Sequence, residues 1–400
     1  MNILIIHHYP GLGGATLSCY DVARALIETG HHTVVSVPAG ENEARRMADK
    51  LNIEAVDGAP PVIQFTYHNG SSGIVRCVLK YLKMQRYIAK WEKLIDEISP
   101  DIVLLNSSVQ WPMIKLLKRK GIKSILFVRE TMRKNQLGLI NRYIRKKLSQ
   151  ADGVTFLTKY DLEQWDLPTY VKQYVIPDSV NKDNYDMTRT KEESRKKLGL
   201  DIEKFYVLYV GGINSIKGAG EIVSAVEWLE EPFVETVILG DLAENLRQCS
   251  FLKSLIQYRE AKYVKKVYRQ IEMINKTESR IQLKGLQRKM DDWLNACDVV
   301  VFPVGKVHQA RPLYEAGLFQ KPVILPDYEN FRDNAENMKN VLYYKKRDEK
   351  DLALKIQYLF HNKKTAEKLG HANRMMAEEK HLSSEVNKQI VRLINEIYQG

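Results

Sequence analysis

Two short stretches combine glycines, a lysine and a carboxylate in a way suited to holding an anion and a sugar: "YVGGINSIKGAG" (residues 209–220) and "RPLYEAGLFQKPVILPD" (residues 311–327). In the first, a strand-like run ends at Gly211 and Gly212, a helical pattern follows, and Lys217 lies between them. An ammonium beside a helix start is a mobile point charge able to clamp a phosphate; a solvated surface lysine is the competing reading. The spacing is not that of a P-loop. In the second stretch, Pro312 suits the first position of a helix, where its missing N–H is no loss. The amides of Leu313 and Tyr314 then read as free donors at the positive end of the helix dipole. Glu315, expected in the first turn with Arg311 just before it, can accept hydrogen bonds from the vicinal hydroxyls of a sugar. A plain acid complementing the dipole is the alternative. A third stretch, "GLGGA" (residues 11–15), places Gly13 and Gly14 where a first strand turns into a helix. Thr16 stands in place of a third glycine and no acid closes the second strand at "VVSVPAG" to hold a ribose, which argues against a nicotinamide dinucleotide fingerprint. A tight turn with no ligand competes here too.

The elements needed to position these residues are legible. "NILIIHH", "HTVVSVP", "DIVLLNS", "SILFVRE", "GVTFLT" and "QYVIPD" are short apolar runs separated by amphipathic helical patterns, the mark of a parallel sheet with helical crossovers. A polar stretch from about residue 179 reads as a linker and a surface helix. A second series follows: "FYVLYVGG", "ETVILGD", "RIQLKG", "DVVVFPV" and "KPVILPD". The expected division is 1–180, 181–380 and a terminal helix, 381–400, with Val386, Ile390, Ile394 and Ile397 at helical spacing. Residues 243–279 form a basic, aromatic, helix-patterned segment longer than an ordinary crossover.

With 400 residues, 44% hydrophobic and 28% charged, the composition is that of a soluble two-domain protein. "MNILIIHHYP" reads as a buried strand rather than a signal peptide, and no apolar run approaches the ~20 residues of a membrane span. Cys19, Cys77, Cys249 and Cys297 form no C-x-x-C pair, which disfavours a disulfide framework or a zinc site and fits a reducing cytoplasm. The net charge is +12, and residues 114–147 hold twelve Lys or Arg against the single acid Glu130. Such a surface implies an anionic partner. No helix-turn-helix, zinc or RNP pattern accompanies it, so nucleic acid is not expected. An anionic membrane is: Leu137, Ile140, Ile144 and Leu148 share one helical face, with Arg142, Arg145 and Lys146 elsewhere, as in an interfacial helix or an ordinary one that buries its apolar face in the domain.

Taken together, the order and spacing of "ETGHHTVVSV", "VIPD", "YVGGINSIKG", "LKGLQRKMDDWLNACDVVVFPV" and "RPLYEAGLFQKPVI" resemble those of the retaining GT-B glycosyltransferases of family 4, the bacterial polysaccharide-type group 1 glycosyltransferases, over almost the whole chain. The resemblance implies an α/β fold of two doubly wound Rossmann-like domains facing each other across a cleft, with an acceptor-side N-terminal domain, a nucleotide-sugar-binding C-terminal domain, and the terminal helix packing back on the first. It implies transfer of a sugar from a UDP- or GDP-linked donor to a saccharide or lipid-linked acceptor, by a peripheral protein on the inner face of the cell membrane. Residue by residue, it puts Lys217 on the donor diphosphate, Glu315 on the ribose, the Leu313 and Tyr314 amides on phosphate, and the backbone near Leu286 and Gln287 on the base. Gly13 and Gly14 would face the donor. Three positions depart from the family pattern. Val307 stands where the first glutamate of E-x7-E belongs, with His308 beside it as a substitute; Gly212 replaces a basic residue; and Arg129-Glu130 replaces "HD", making these two the acceptor-side candidates. No D-x-D occurs, so neither metal nor other cofactor is expected. Competing readings are a catalytically silent relative that binds a ligand or scaffolds an assembly, and a GT-B sugar-nucleotide epimerase.

Overall fold

The computed structural model describes residues 1–58, 82, 87–131, 139–247 and 258–400. The chain forms two compact units, Met1–Ser179 with Ser383–Gly400, and Val180–Leu382.

In the first unit the strands are β1 (Asn2–His7), β2 (His32–Pro38), β3 (Ala55–Gly58), β4 (Ile102–Asn106), β5 (Lys123–Val128), β6 (Gly153–Phe156) and β7 (Gln173–Val175). Among the described residues they form one parallel sheet in the order β3-β2-β1-β4-β5-β6-β7. Alternate residues of β1 serve different cores: Leu4 and Ile6 pack on one face, Ile3 and Ile5 on the other. Burial of both faces explains why these strands read as continuous apolar runs. Helix Ser383–Gln399 seals the second face, putting Val386, Ile390, Leu393, Ile394 and Ile397 beside Ile3, Ile5 and Leu26. Each such aliphatic side chain contributes about 1.5–3 kcal/mol on full burial.

The second unit holds β8 (Phe205–Val210), β9 (Val234–Leu239), β10 (Ile281–Gly285), β11 (Val299–Val301), β12 (Val323–Pro326) and β13 (Leu342–Tyr344). They are parallel, in the order β10-β9-β8-β11-β12-β13. In each sheet the chain order reverses beside the first strand, between β1 and β4 and between β8 and β11. Ligands of open α/β sheets bind at such reversals, beyond the carboxyl ends of the strands.

Two expectations change. The stretch after residue 179 is no loose linker: Tyr185 and Met187 pack against the second unit's core, and helix Lys191–Leu198 buries Ser194 and Arg195. A capping box of Thr190 and Glu193 starts that helix. In helix Leu139–Leu148, Ile144 and Leu148 are core residues of the first unit, so this part of the apolar face turns inward. Leu137, Cys77, Cys249 and residues 248–257 of the basic segment lie outside the described residues. Several cations of residues 114–147 are also neutralised locally: Arg119 pairs with Glu92, Lys120 with Asp96, Arg145 with Asp166 and Arg129 with Asp178. No described helix is long and apolar enough to cross a membrane.

Candidate active site

The loops at the reversal of the second sheet meet edge to edge. Beyond β8, the amides of Gly211 and Gly212 both donate to the Leu239 carbonyl, at 3.0 and 2.8 Å, and Ile213 donates to Asp241 at 2.8 Å. Gly212 has φ +62°, and a Cβ there would lie 2.1 Å from the Asp241 carbonyl oxygen. At this place, where the family pattern has a basic residue, any side chain would meet neighbouring backbone in this loop. At Gly218 (φ +83°) a Cβ would lie 1.6 Å from the Pro303 carbonyl oxygen. Only glycine permits this approach of the β8 loop to the β11 loop, which the Gly305 amide seals by donating to Ile216 at 3.2 Å.

Lys217 sits between these contacts. Asn214 positions it: its side-chain oxygen accepts from the Ile216 and Lys217 amides at 2.9 and 3.2 Å, a turn that asparagine forms readily. The Lys217 side chain is half-buried, and burial lowers the pKa of its amine below the usual lysine value, with the Asp241 charge opposing. No ion pair holds it among the described residues. Burying a cation without a carboxylate partner is unfavourable, so the arrangement is best suited to an anion supplied from outside.

Past β11, helix Arg311–Leu318 begins one residue earlier than expected, at Arg311. Glu315 therefore lies beyond the first turn. The Leu313 amide is not free either: it donates to Ala310 at 2.8 Å, because the chain enters the helix through a tight turn. Tyr314 is buried, its ring stacked on His381 at 3.5 Å and its hydroxyl accepting from Asn334 at 3.1 Å. Glu315 is held by two donors, Arg311 Nε and the Tyr185 hydroxyl, both 2.9 Å from Oε1. Oε2 has no partner among the described residues and remains an acceptor. Burial and the Glu315 charge push the Tyr185 phenol well above its ordinary pKa, so it stays a donor. His308 stacks on Phe302 at 6.3 Å, and its carbonyl accepts from Asn330 at 2.8 Å. Leu286 follows edge strand β10 and is 68% exposed; the neighbouring Gln287 side chain folds back onto the Lys284 carbonyl.

At the reversal of the first sheet a buried polar chain runs across the strand ends. Thr16 donates to the Gly11 carbonyl at 2.7 Å, so its oxygen accepts from His7 Nε2 at 3.1 Å. His7 Nδ1 in turn accepts from the Asn106 amide at 2.9 Å, and Asn106 Oδ1 accepts from Arg129 Nε at 3.1 Å. Arg129 reaches Asp178 at 3.5 Å. This sequence of donors fixes His7 as the neutral tautomer protonated on Nε2. Burial first, then the charges of His8 and Arg129, lower its pKa to about 3. Glu130 accepts from the Ser107 hydroxyl, the Ser108 amide (3.1 Å) and the Arg129 amide (3.2 Å), bracing the turn after β4. Helix Gly14–Glu28 starts at Gly13 with no side-chain cap and no acid in its first turn.

The structure thus gathers Lys217, Gly211, Gly212 and the loop bearing His308 at one sheet reversal, with Arg311 and Glu315 on the helix that follows. Gly13, Gly14, Arg129 and Glu130 belong to the other unit. Sequence reasoning missed Tyr185, Asn214, Glu260 and Tyr263; only Asn214, three residues before Lys217, had a local signal.

Comparison with known proteins agrees with this architecture. Residues 190–376 match the family described as Glycosyl transferases group 1, and residues 12–181 match Glycosyltransferase Family 4. The chain belongs to the group 1 glycosyltransferases of the GT-B fold. Among solved structures it is similar to HepE of Anabaena in complex with UDP and glucose (TM-score 0.79, 16% identity, 99% of each chain covered). It is also similar to sucrose-phosphate synthase of Thermosynechococcus elongatus (TM-score 0.77, 15% identity, 99% of each chain). A glycosyltransferase of Rickettsia africae matches with TM-score 0.76 and 18% identity, covering 99% of this chain and 98% of that one. At these identities the likeness establishes the fold alone. No curated protein sequence matches the chain significantly.

Proposed function

We propose that this glycosyltransferase moves a sugar from a UDP- or GDP-linked donor to a hydroxyl of a lipid-linked saccharide, with retention of configuration, in the synthesis of a bacterial surface polysaccharide. The observation that carries the donor reading is Lys217: a half-buried amine with no ion pair among the described residues, at the sheet reversal where α/β proteins bind ligands. The neighbouring HepE structures contain UDP, and one contains UDP-glucose, which supports a nucleotide sugar here.

In this mechanism the bond between the anomeric carbon and the diphosphate oxygen breaks, and its electron pair leaves with the phosphate. Lys217 and the positive end of helix Arg311–Leu318 stabilise the charge that develops there. Glu315 Oε2 accepts from the ribose hydroxyls. The acceptor oxygen bonds to the same face of the sugar, and its proton passes to the departing phosphate, so no side chain is needed as base. Because Lys217 and the helix supply the positive charge, the reaction runs without a metal ion or other cofactor.

The acceptor reading rests on the first unit's basic surface, where Arg142 and Lys146 are exposed beside the half-exposed Tyr143. These groups hold the protein on the anionic inner leaflet by charge rather than by an inserted apolar face.

The test is incubation with a panel of UDP- and GDP-sugars and a bacterial lipid extract. Sugar transferred to lipid, with nucleoside diphosphate released, is the expected result. Tight nucleotide binding without turnover on any donor would point instead to a silent, ligand-binding relative.

A further inference from the structure

We propose that the inserted helix Tyr258–Ile274 is a latch on the loop that carries Lys217, with Glu260 and Tyr263 as positioning residues. The proposal deepens the donor-site reading above and rests on it for its functional consequence, though not for the latch itself.

The helix is anchored by its apolar face. Val264, Val267, Tyr268 and Ile271 enter the core formed with helix Ala219–Val226, while Arg259, Lys262, Lys266 and Arg269 are exposed. Two polar side chains near its start, three residues apart, lie on the same side of the helix as Val264 and Val267 and reach the loop of residues 214–220, with the Tyr263 ring packed against the core itself. Both oxygens of Glu260 grip Ser215: one accepts from its amide at 2.9 Å, the other from its hydroxyl at 2.5 Å. The Tyr263 hydroxyl accepts from the Gly220 amide at 2.6 Å and lies 3.5 Å from the Asn214 carbonyl. A Cβ at Gly220 would come within 3.1 Å of that hydroxyl.

The loop is therefore held on both sides of Lys217, by two side chains of a segment remote in sequence. Helix Ala219–Val226 has no side-chain cap at Gly218, so the Gly220 amide is one of its orphan donors. Tyr263 satisfies it. With that amide occupied, the Lys217 ammonium is the charged anion-binding group of the loop, and its position depends on how firmly the loop is held. Loss of either tether frees the backbone on one side of Lys217 and weakens its grip on a phosphate without touching the part of the site that would hold a base.

Amide hydrogen exchange across residues 214–220, with UDP and uridine binding measured in parallel, tests this on Glu260→Ala, Glu260→Gln, Tyr263→Phe and Lys217→Ala. Expected are faster exchange near Ser215 in Glu260→Ala and near Gly220 in Tyr263→Phe. UDP affinity should fall about tenfold in each, with uridine affinity unchanged. Glu260→Gln, which keeps an acceptor for the Ser215 amide, should recover most of both. Should Glu260→Ala loosen the helix itself, Tyr263→Phe, the removal of one oxygen, carries the test. Unchanged exchange in both tether variants overturns the latch. So does unchanged UDP affinity in both when Lys217→Ala has lost it. If the wild type binds neither UDP nor GDP, the donor reading fails, and the latch still stands or falls on the exchange rates.

Discussion

Tyr185 and Arg311 hold the same oxygen of Glu315, each at 2.9 Å, and leave the other oxygen of that carboxylate as an acceptor with no partner among the described residues. Removing the hydroxyl in Tyr185→Phe leaves Oε1 with one donor. Stability should fall by about 1 kcal/mol, and the KM for the nucleotide sugar should rise several-fold with kcat little changed. A KM equal to wild type, measured by steady-state kinetics, would remove Glu315 from donor recognition.

The neutral, doubly bonded His7 makes the first unit acid-sensitive. Its folded-state pKa, about 3, lies below the unfolded value of 6.5, so between those limits the unfolded chain binds more protons and stability falls as pH falls. From pH 7.5 to 5 this group should cost on the order of 2 kcal/mol. His7→Gln keeps one donor and one acceptor but cannot titrate, so denaturant melts of the variant at the two pH values should differ by that much less than those of the wild type. Equal losses would show that His7 is not held neutral by the network.

Turnover should survive chelation of divalent ions. In the proposed mechanism Lys217 supplies the positive charge that a metal would otherwise bring to the diphosphate. Activity abolished by EDTA and restored by Mg²⁺ or Mn²⁺ would contradict this.

Membrane association should be electrostatic. Sedimentation with acidic vesicles should weaken steeply with salt and drop when Arg142, Lys146 and Lys147 become serine; neutral vesicles should bind poorly. Equal partitioning to both vesicle types would turn the search toward a soluble acceptor.

Much of the architecture is legible in the sequence because parallel strands buried on both faces leave uninterrupted apolar runs, and because the G-G-x4-K-G pattern of residues 211–218 needs glycine where backbones meet. What surrounds Lys217 and Glu315 is not, since it arrives from far along the chain: Tyr185 lies 130 positions from Glu315, Glu260 lies 45 from Ser215, and Tyr263 lies 43 from Gly220. Nothing local in "NKDNYDMT" marks its tyrosine as a partner of a carboxylate. The amphipathic pattern of helix Leu139–Leu148 was ambiguous for another reason: a face buried in a domain and a face resting on a membrane demand the same periodicity, and only the packing of Ile144 and Leu148 distinguishes them.

The central claim is that the Lys217 amine stabilises the departing diphosphate, and saturation kinetics of Lys217→Ala against wild type, with thermal melts alongside, tests it most directly. Loss of the amine should lower kcat by about 10²–10³-fold, the range for removing one group that stabilises developing charge. The melting temperature should not fall, because the substitution removes a half-buried cation that has no ion pair among the described residues. A variant that keeps more than about a tenth of the wild-type kcat, a loss of under ~1.4 kcal/mol, would contradict the account.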